Sequence, residues 1–285
     1  MSSEYIRSLA SQLALSMFQN KVQQMLGTRT PAQFSKLPAE RRKAVFRSHL
    51  VQGGYVQIEE GDDDDFFNED IADGALLRQE YVMGSDDIGK QLVKEAREIY
   101  YAENTFTVRS HWLCEFVRDT LADGKPMAIE PLVRRIMVRV DVEHIHDMDN
   151  FEYMPEGETE KSWVVRDLRQ LLAFTNAEWI GIEIWGGGAL DGSDLGTQQK
   201  MKEMSGIVKQ LIDRFGDAFT IKKIAREKAL FHNLRPYWKP VSAAAKQRLK
   251  VGKASFEELM QIQIEEWTRQ SSGIVQVGDY WESVL

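Results

Sequence analysis

Two histidines and three carboxylates fall within seven residues in Glu143-His144-Ile145-His146-Asp147-Met148-Asp149. Alternation along an extended chain would place His144 and His146 on one side, and imidazole with carboxylate suits zinc or iron(II). His144, His146 and Asp147 are thus the metal candidates. A third ligand would have to come from elsewhere, and His49, His111 and His232 stand in no matching motif. A polar surface loop is the simpler reading, and no metal or other cofactor is expected. The second candidate is the glycine-rich stretch from Gly186 to Gly196, since backbone N–H groups between a strand and a helix can cradle phosphate. Asp191 occupies the place of the third glycine of a dinucleotide fingerprint, and Asp191 and Asp194 would repel an anion. The acidic run Asp62 to Asp65 carries Phe67 where a calcium loop needs glycine. Cys114 lies beside Leu113 and Phe116, which reads as packing rather than nucleophilic chemistry. No residue is assigned a catalytic role.

Composition narrows the classes. The 285 residues carry a net charge of -8, with 43% apolar and 28% charged side chains. A negative chain lacks the field that nucleic acid or an anionic membrane requires, so neither partner is expected. The basic runs Arg134/Arg135/Arg139 and Lys222/Lys223/Arg226/Lys228 read as solvated faces. The single cysteine forbids an internal disulfide and points to a reducing compartment. No run reaches the ~18 apolar residues of a transmembrane helix, and the first twenty residues lack a secretory pattern. The expectation is an intracellular protein, cytoplasmic or nuclear.

These candidates need elements to hold them. Ile88, Leu92, Ala96 and Ile99 recur at helical spacing, with Lys90, Lys94, Glu95, Arg97 and Glu98 on the rest of the surface. Gly84-Ser85-Asp86-Asp87 supplies the cap, and Thr105 to Val108 continue as a strand. After Ser110 a helix turns Leu113, Phe116, Val117 and Leu121 inward. Ile136, Val138, Val140 and Val142 alternate with Met137, Arg139 and Asp141. A helix from Ser162 carries Val164, Leu168, Leu171 and Leu172. Ile180, Ile182 and Ile184 share one strand face, with Trp179, Glu183 and Trp185 opposite. A helix with Met201, Met204, Val208, Leu211, Ile212 and Phe215 follows, stopped by Gly216, and Phe219 to Ile221 is a further strand. Tyr55 to Ile58 reads as another. Strands joined by helices favour parallel pairing with right-handed crossovers, at an uneven, repeat-like step.

The pattern predicts an α/β fold, or α+β: a small, mostly parallel sheet of βα units. A long helix over Glu4–Leu26 precedes it. The domain reading is a helical region over 1–60, an acidic mobile loop over 61–75, a βα module over 76–228 and a helical extension over 229–285. In that extension Pro236 and Pro240 bracket Tyr237-Trp238, and Ser255 with Glu258 forms a capping box ahead of Phe256, Met260, Ile264 and Trp267.

Leu37, Pro38, Glu40 and Arg42 open one helix, while Glu95, Ala96, Tyr100, Asn104, Thr105 and Phe106 join another to a strand. This pattern resembles a group of filamentous-fungal proteins with an F-box-like N-terminal motif, and the similarity extends over residues 35 to 225. The Ile180–Ile184 strand and the helix from Ile207 to Phe215 resemble that group's C-terminal half. The resemblance implies a non-catalytic interaction protein that binds a Skp1-type adaptor and presents a substrate. Leu37, Pro38, Val45, Phe46 and Leu50 would then face the adaptor. The acidic run splits the motif, and no apolar second half is recognisable between Leu50 and Leu76.

Trp179 and Trp185 form the other expected partner surface if no helix covers their face; burial of that face by the C-terminal helices is the simpler reading. The alternatives are a ligand- or metal-dependent enzyme using His144, His146, Asp147, Asp191 and Asp194 at the strand ends, and a structural subunit of an assembly.

Overall fold

The computed structural model describes residues 22–58, 83, 86–117, 128–142, 160–225 and 230–274. Of the helix expected over Glu4–Leu26, residues 22–26 are among the described residues and are helical, closed by Gly27 at φ 64°. The acidic run, the His144–Asp149 cluster and the final eleven residues lie outside the described residues.

The helices are α1 (Pro31–Ser35), α2 (Ala39–Leu50), α3 (Asp87–Glu103), α4 (Leu113–Val117), α5 (Glu160–Arg169), α6 (Leu195–Phe215), α7 (Ala243–Lys250) and α8 (Phe256–Ile274). The strands are β1 (Tyr55–Ile58), β2 (Thr105–Arg109), β3 (Arg135–Asp141), β4 (Trp179–Trp185), β5 (Phe219–Ile224) and β6 (Phe231–Asn233). Among the described residues the six strands make one sheet, ordered from β1 to β6 as in the chain. The β1–β2 and β4–β5 pairs are parallel, and β6 turns back antiparallel on β5. The fold is α/β, as the alternation of strand and helix patterns predicts.

Two compact units make up the chain. The first comprises Met1–Val108, Glu115–Arg135 and Phe174–Ala177, and the second Arg109–Cys114, Ile136–Ala173 and Glu178–Leu285.

In the first unit α1 and α2 pack on α3. Phe34 and Phe46 are fully buried, with ring centroids 5.5 Å apart. Arg42 binds Glu95 through two parallel hydrogen bonds of 2.8 and 2.7 Å, and its third nitrogen donates to Ser35 O and Leu37 O. Arg47 makes the same fork with Glu103. Bidentate pairs fix geometry as well as contributing energy, so these two set the angle of α2 on α3. Asn104 ends α3 and is 1% exposed. Its Nδ2 donates to Leu50 O and Tyr100 O at 2.9 Å each, and its Oδ1 accepts from Gln52 N–H at 2.8 Å. One side chain thus satisfies the backbone at the ends of two helices. Tyr100, Tyr101, Phe106 and Phe116 form an aromatic cluster beneath it.

Several expectations are corrected. Ile88 is 37% exposed, and Gly89 takes the buried place at the start of α3. Arg97, read as a surface residue, is completely buried. Lys223, read with Lys222 as a solvated face, is 1% exposed and donates from Nζ to Gly187 O at 2.9 Å. Ser110 opens a 3-10 turn through Trp112 rather than capping an α-helix directly. The turn at Thr30-Pro31 continues as α1, which has a full capping box between Thr30 and Gln33 with proline at N1.

Replacing Asn104 by Ala removes three hydrogen bonds and strands Leu50 O and Gln52 N–H, and should destabilise the protein by about 2–4 kcal/mol in urea unfolding. The hydrogen bonds from Arg42 hold the Glu95 carboxyl below its ordinary range. A depressed carboxylate pKa adds stability that is present above the unfolded value and lost as pH falls through the folded one. The melting temperature of the wild type should therefore fall more steeply between about pH 5 and about pH 3 than that of Glu95→Gln.

Candidate interaction surface

In the second unit β3, β4 and β5 are neighbours in chain order, with α5 and α6 as the intervening connections. A right-handed crossover between adjacent parallel strands carries its helix to one face, and successive ones carry theirs to the same face. Burial follows that rule. Ile136, Ile180, Ile182, Ile184, Phe219 and Ile221 are all 0% exposed, as are Met201, Met204, Val208 and Leu211 of α6. The opposite face holds Trp179, Glu183 and Trp185 half-buried, in the alternation the sequence predicts.

That opposite face is built side chain by side chain. Gly181 leaves room for the Met137 thioether, whose Cε lies 2.6 Å from where a Cβ on Gly181 would stand, with the Trp179 ring beside it. Next to it, Trp185 donates from Nε1 to Glu183 Oε2 at 2.9 Å. The Arg139 guanidinium stacks 4.5 Å from the Trp185 ring centroid and sits 3.9 Å from Glu183 Oε2. On the other flank β4–β5 register sets Lys222 against Glu183. Lys222 Nζ lies 4.7 Å from the ring centroid of Phe231, which is 59% exposed. A row of alternating charge, Arg139–Glu183–Lys222, therefore crosses three strands with aromatic rings along its margin. Such cation–aromatic contacts contribute about 0.5–1 kcal/mol each when exposed, too little to be the reason the fold holds. Sequence alternation placed Arg139 on this face. Phe231 carried no signal, because a three-residue antiparallel strand has no period to read.

The strand-end loops are committed to structure. Gly188 has φ 91°, and a Cβ there would come within 2.3 Å of Asp194 Cγ. Asp194 itself caps α6 by accepting from Thr197 N–H at 2.9 Å. Asp191 accepts from Ser193 N–H at 3.0 Å, and hydrogen bonds from Ser193 hold its carboxyl below the usual range. Tyr237 donates to Asp191 O at 2.7 Å, and burial pushes its hydroxyl up to about 12. Among the described residues no three His, Cys, Asp or Glu side chains converge as a metal set. His144, His146 and Asp147 fall outside those residues. Cys114 donates its thiol hydrogen to Asp167 Oδ1 at 3.2 Å. Strand order never reverses among the six strands, so the described sheet has no switch point of the kind at which doubly wound sheets bind ligands.

The adaptor-facing set is divided. Phe46 and Leu50 are 0% and 8% exposed and belong to the first unit's own core, so they offer a partner no surface. Leu37 and Val45 are half-buried, and Pro38 is exposed. No helix among the described residues is long and apolar enough to cross a membrane.

Replacing Lys222 with Ala should change unfolding free energy by about 1 kcal/mol or less, and replacing Arg139, whose side chain is 20% exposed, by about 2 kcal/mol. Ile182→Ala on the covered face should cost about 2–5 kcal/mol. Urea midpoints of the purified variants measure both.

Comparison with known proteins finds no matching family model, no similar curated protein and no similar solved structure.

Proposed function

We propose that this chain is a non-catalytic protein–protein interaction protein that engages its partner on the partly exposed face of the β3–β5 sheet that bears Trp179 and Trp185. The carrying observation is the Arg139–Glu183–Lys222 row set between half-buried Trp179 and Trp185 and exposed Phe231. Tryptophan, tyrosine and arginine dominate the energetics of protein interfaces because each buries a large area with few rotamers to freeze. Alternating charges add selectivity, since a partner that meets them in the wrong register is repelled. The commitment of Asp191 and Asp194 to a turn and a helix cap supports this reading over a ligand-binding enzyme. The F-box-like reading narrows to Leu37, Pro38 and Val45, at the start and margin of α2.

Photo-crosslinking tests the proposal. With p-benzoylphenylalanine in place of Trp185 or Lys222, irradiation in cells should yield one discrete covalent adduct. The same residue at Lys202 or Gln210, on the exposed side of α6, should yield none. Equal adducts at all four positions, or none at any, would overturn the assignment.

A further inference from the structure

A second surface lies in the same unit. A cleft of about 930 Å³, open to solvent, runs between the C-terminal half of α6, the turn Arg235–Trp238, α7 and α8. Its volume is in the range of ligand-binding clefts. Its accessible apolar lining is Ile212, Pro240 and Val241, backed by the buried Trp238 and Ile264. Trp238 is held there by donating from Nε1 to Ser205 O at 3.2 Å, so its indole brings no unmet polar group to the cleft.

The charges decide what the cleft takes. Each of its carboxylates is neutralised within the chain: Asp213 by Lys209, Asp217 by Arg235 at 3.1 Å, and Glu265 by Arg269 at 3.5 Å. Lys239 and Lys246 also line it, both are exposed, and neither ammonium group has an ion-pair partner among the described residues. An acidic protein of net charge -8 thus carries a cleft whose uncompensated charges are both positive. Uncompensated charge over an apolar lining attracts a ligand of opposite sign that also has apolar groups to bury. We infer that this cleft binds an extended acidic peptide segment of a partner, with an apolar side chain seated on Ile212, Pro240 and Val241 and carboxylates at Lys239 and Lys246. The site is separate from the sheet face that bears Trp179 and Trp185 and does not depend on it.

The experiment uses the full chain on an array of immobilised heptapeptides. In one set Leu, Phe or Trp alternates with Asp or Glu; in the other the same apolar residues alternate with Lys or Arg. The acidic set should be retained and the basic set not. Lys239→Glu combined with Lys246→Glu should weaken retention roughly tenfold or more, and Lys222→Glu on the sheet face should leave it unchanged. Both lysines are exposed, so the double variant should keep the wild-type melting temperature, which is measured alongside. Failure to retain any acidic peptide, retention of the basic set, insensitivity to the double reversal, or loss on Lys222→Glu would each overturn the inference.

Discussion

Handedness is the constraint from which the second unit follows. A right-twisted strand followed by a helix packs back onto its sheet in one sense. When the next strand is always added on the same side, every helix arrives on the same face. The strand order from β1 to β6 keeps that condition throughout the described sheet. Ile180, Ile182 and Ile184 are therefore sealed, while Trp179, Glu183 and Trp185 keep contact with solvent. A doubly wound sheet escapes this by reversing its strand order, and the reversal creates its ligand crevice. Here the same topology that withholds a crevice supplies a platform.

The platform is a consequence of backbone economy as much as of side chains. Gly181 lets Met137 lie flat against β4, which brings the Trp179 ring down beside it. Arg139 can then reach both the Trp185 ring and the Glu183 carboxylate from the neighbouring strand. None of these contacts is strong enough to be the reason the fold exists. Stability comes from the opposite face, which leaves the platform free to be shaped by recognition. In the first unit the equivalent division falls along α2. Phe46 and Leu50 go to the core, and Arg42 and Arg47 clamp the helix to α3.

Much of this was legible in the residues. The 2-residue period of Ile136–Val142 and Trp179–Trp185 identified both strands, but it set Met137 with Arg139 and Asp141, whereas Met137 is 3% exposed against Gly181. Gly216 marked the end of α6, and Ser255 with Glu258 marked the start of α8, because helix ends need specific partners. Buried charge was not legible. Arg97 and Lys223 look like surface residues, and Lys223 is buried because Gly187 O reaches its ammonium from a distant loop. Nor was the division of the adaptor-facing set, since periodicity cannot say whether an apolar stripe faces the chain's own core or a partner. Strand β6 escaped notice because its pairing is set by the turn back from β5, not by a pattern of its own.

The account stands on the claim that Trp179 and Trp185 reach solvent on their face of the sheet. Fluorine NMR of the protein with 5-fluorotryptophan tests it directly, each indole assigned by a Trp→Phe variant. Resonances of Trp179 and Trp185 should shift between H2O and D2O, as solvent-contacted rings do, while that of Trp238, 8% exposed, should not. No solvent shift at either 179 or 185 would mean that the face is covered, and would contradict the account.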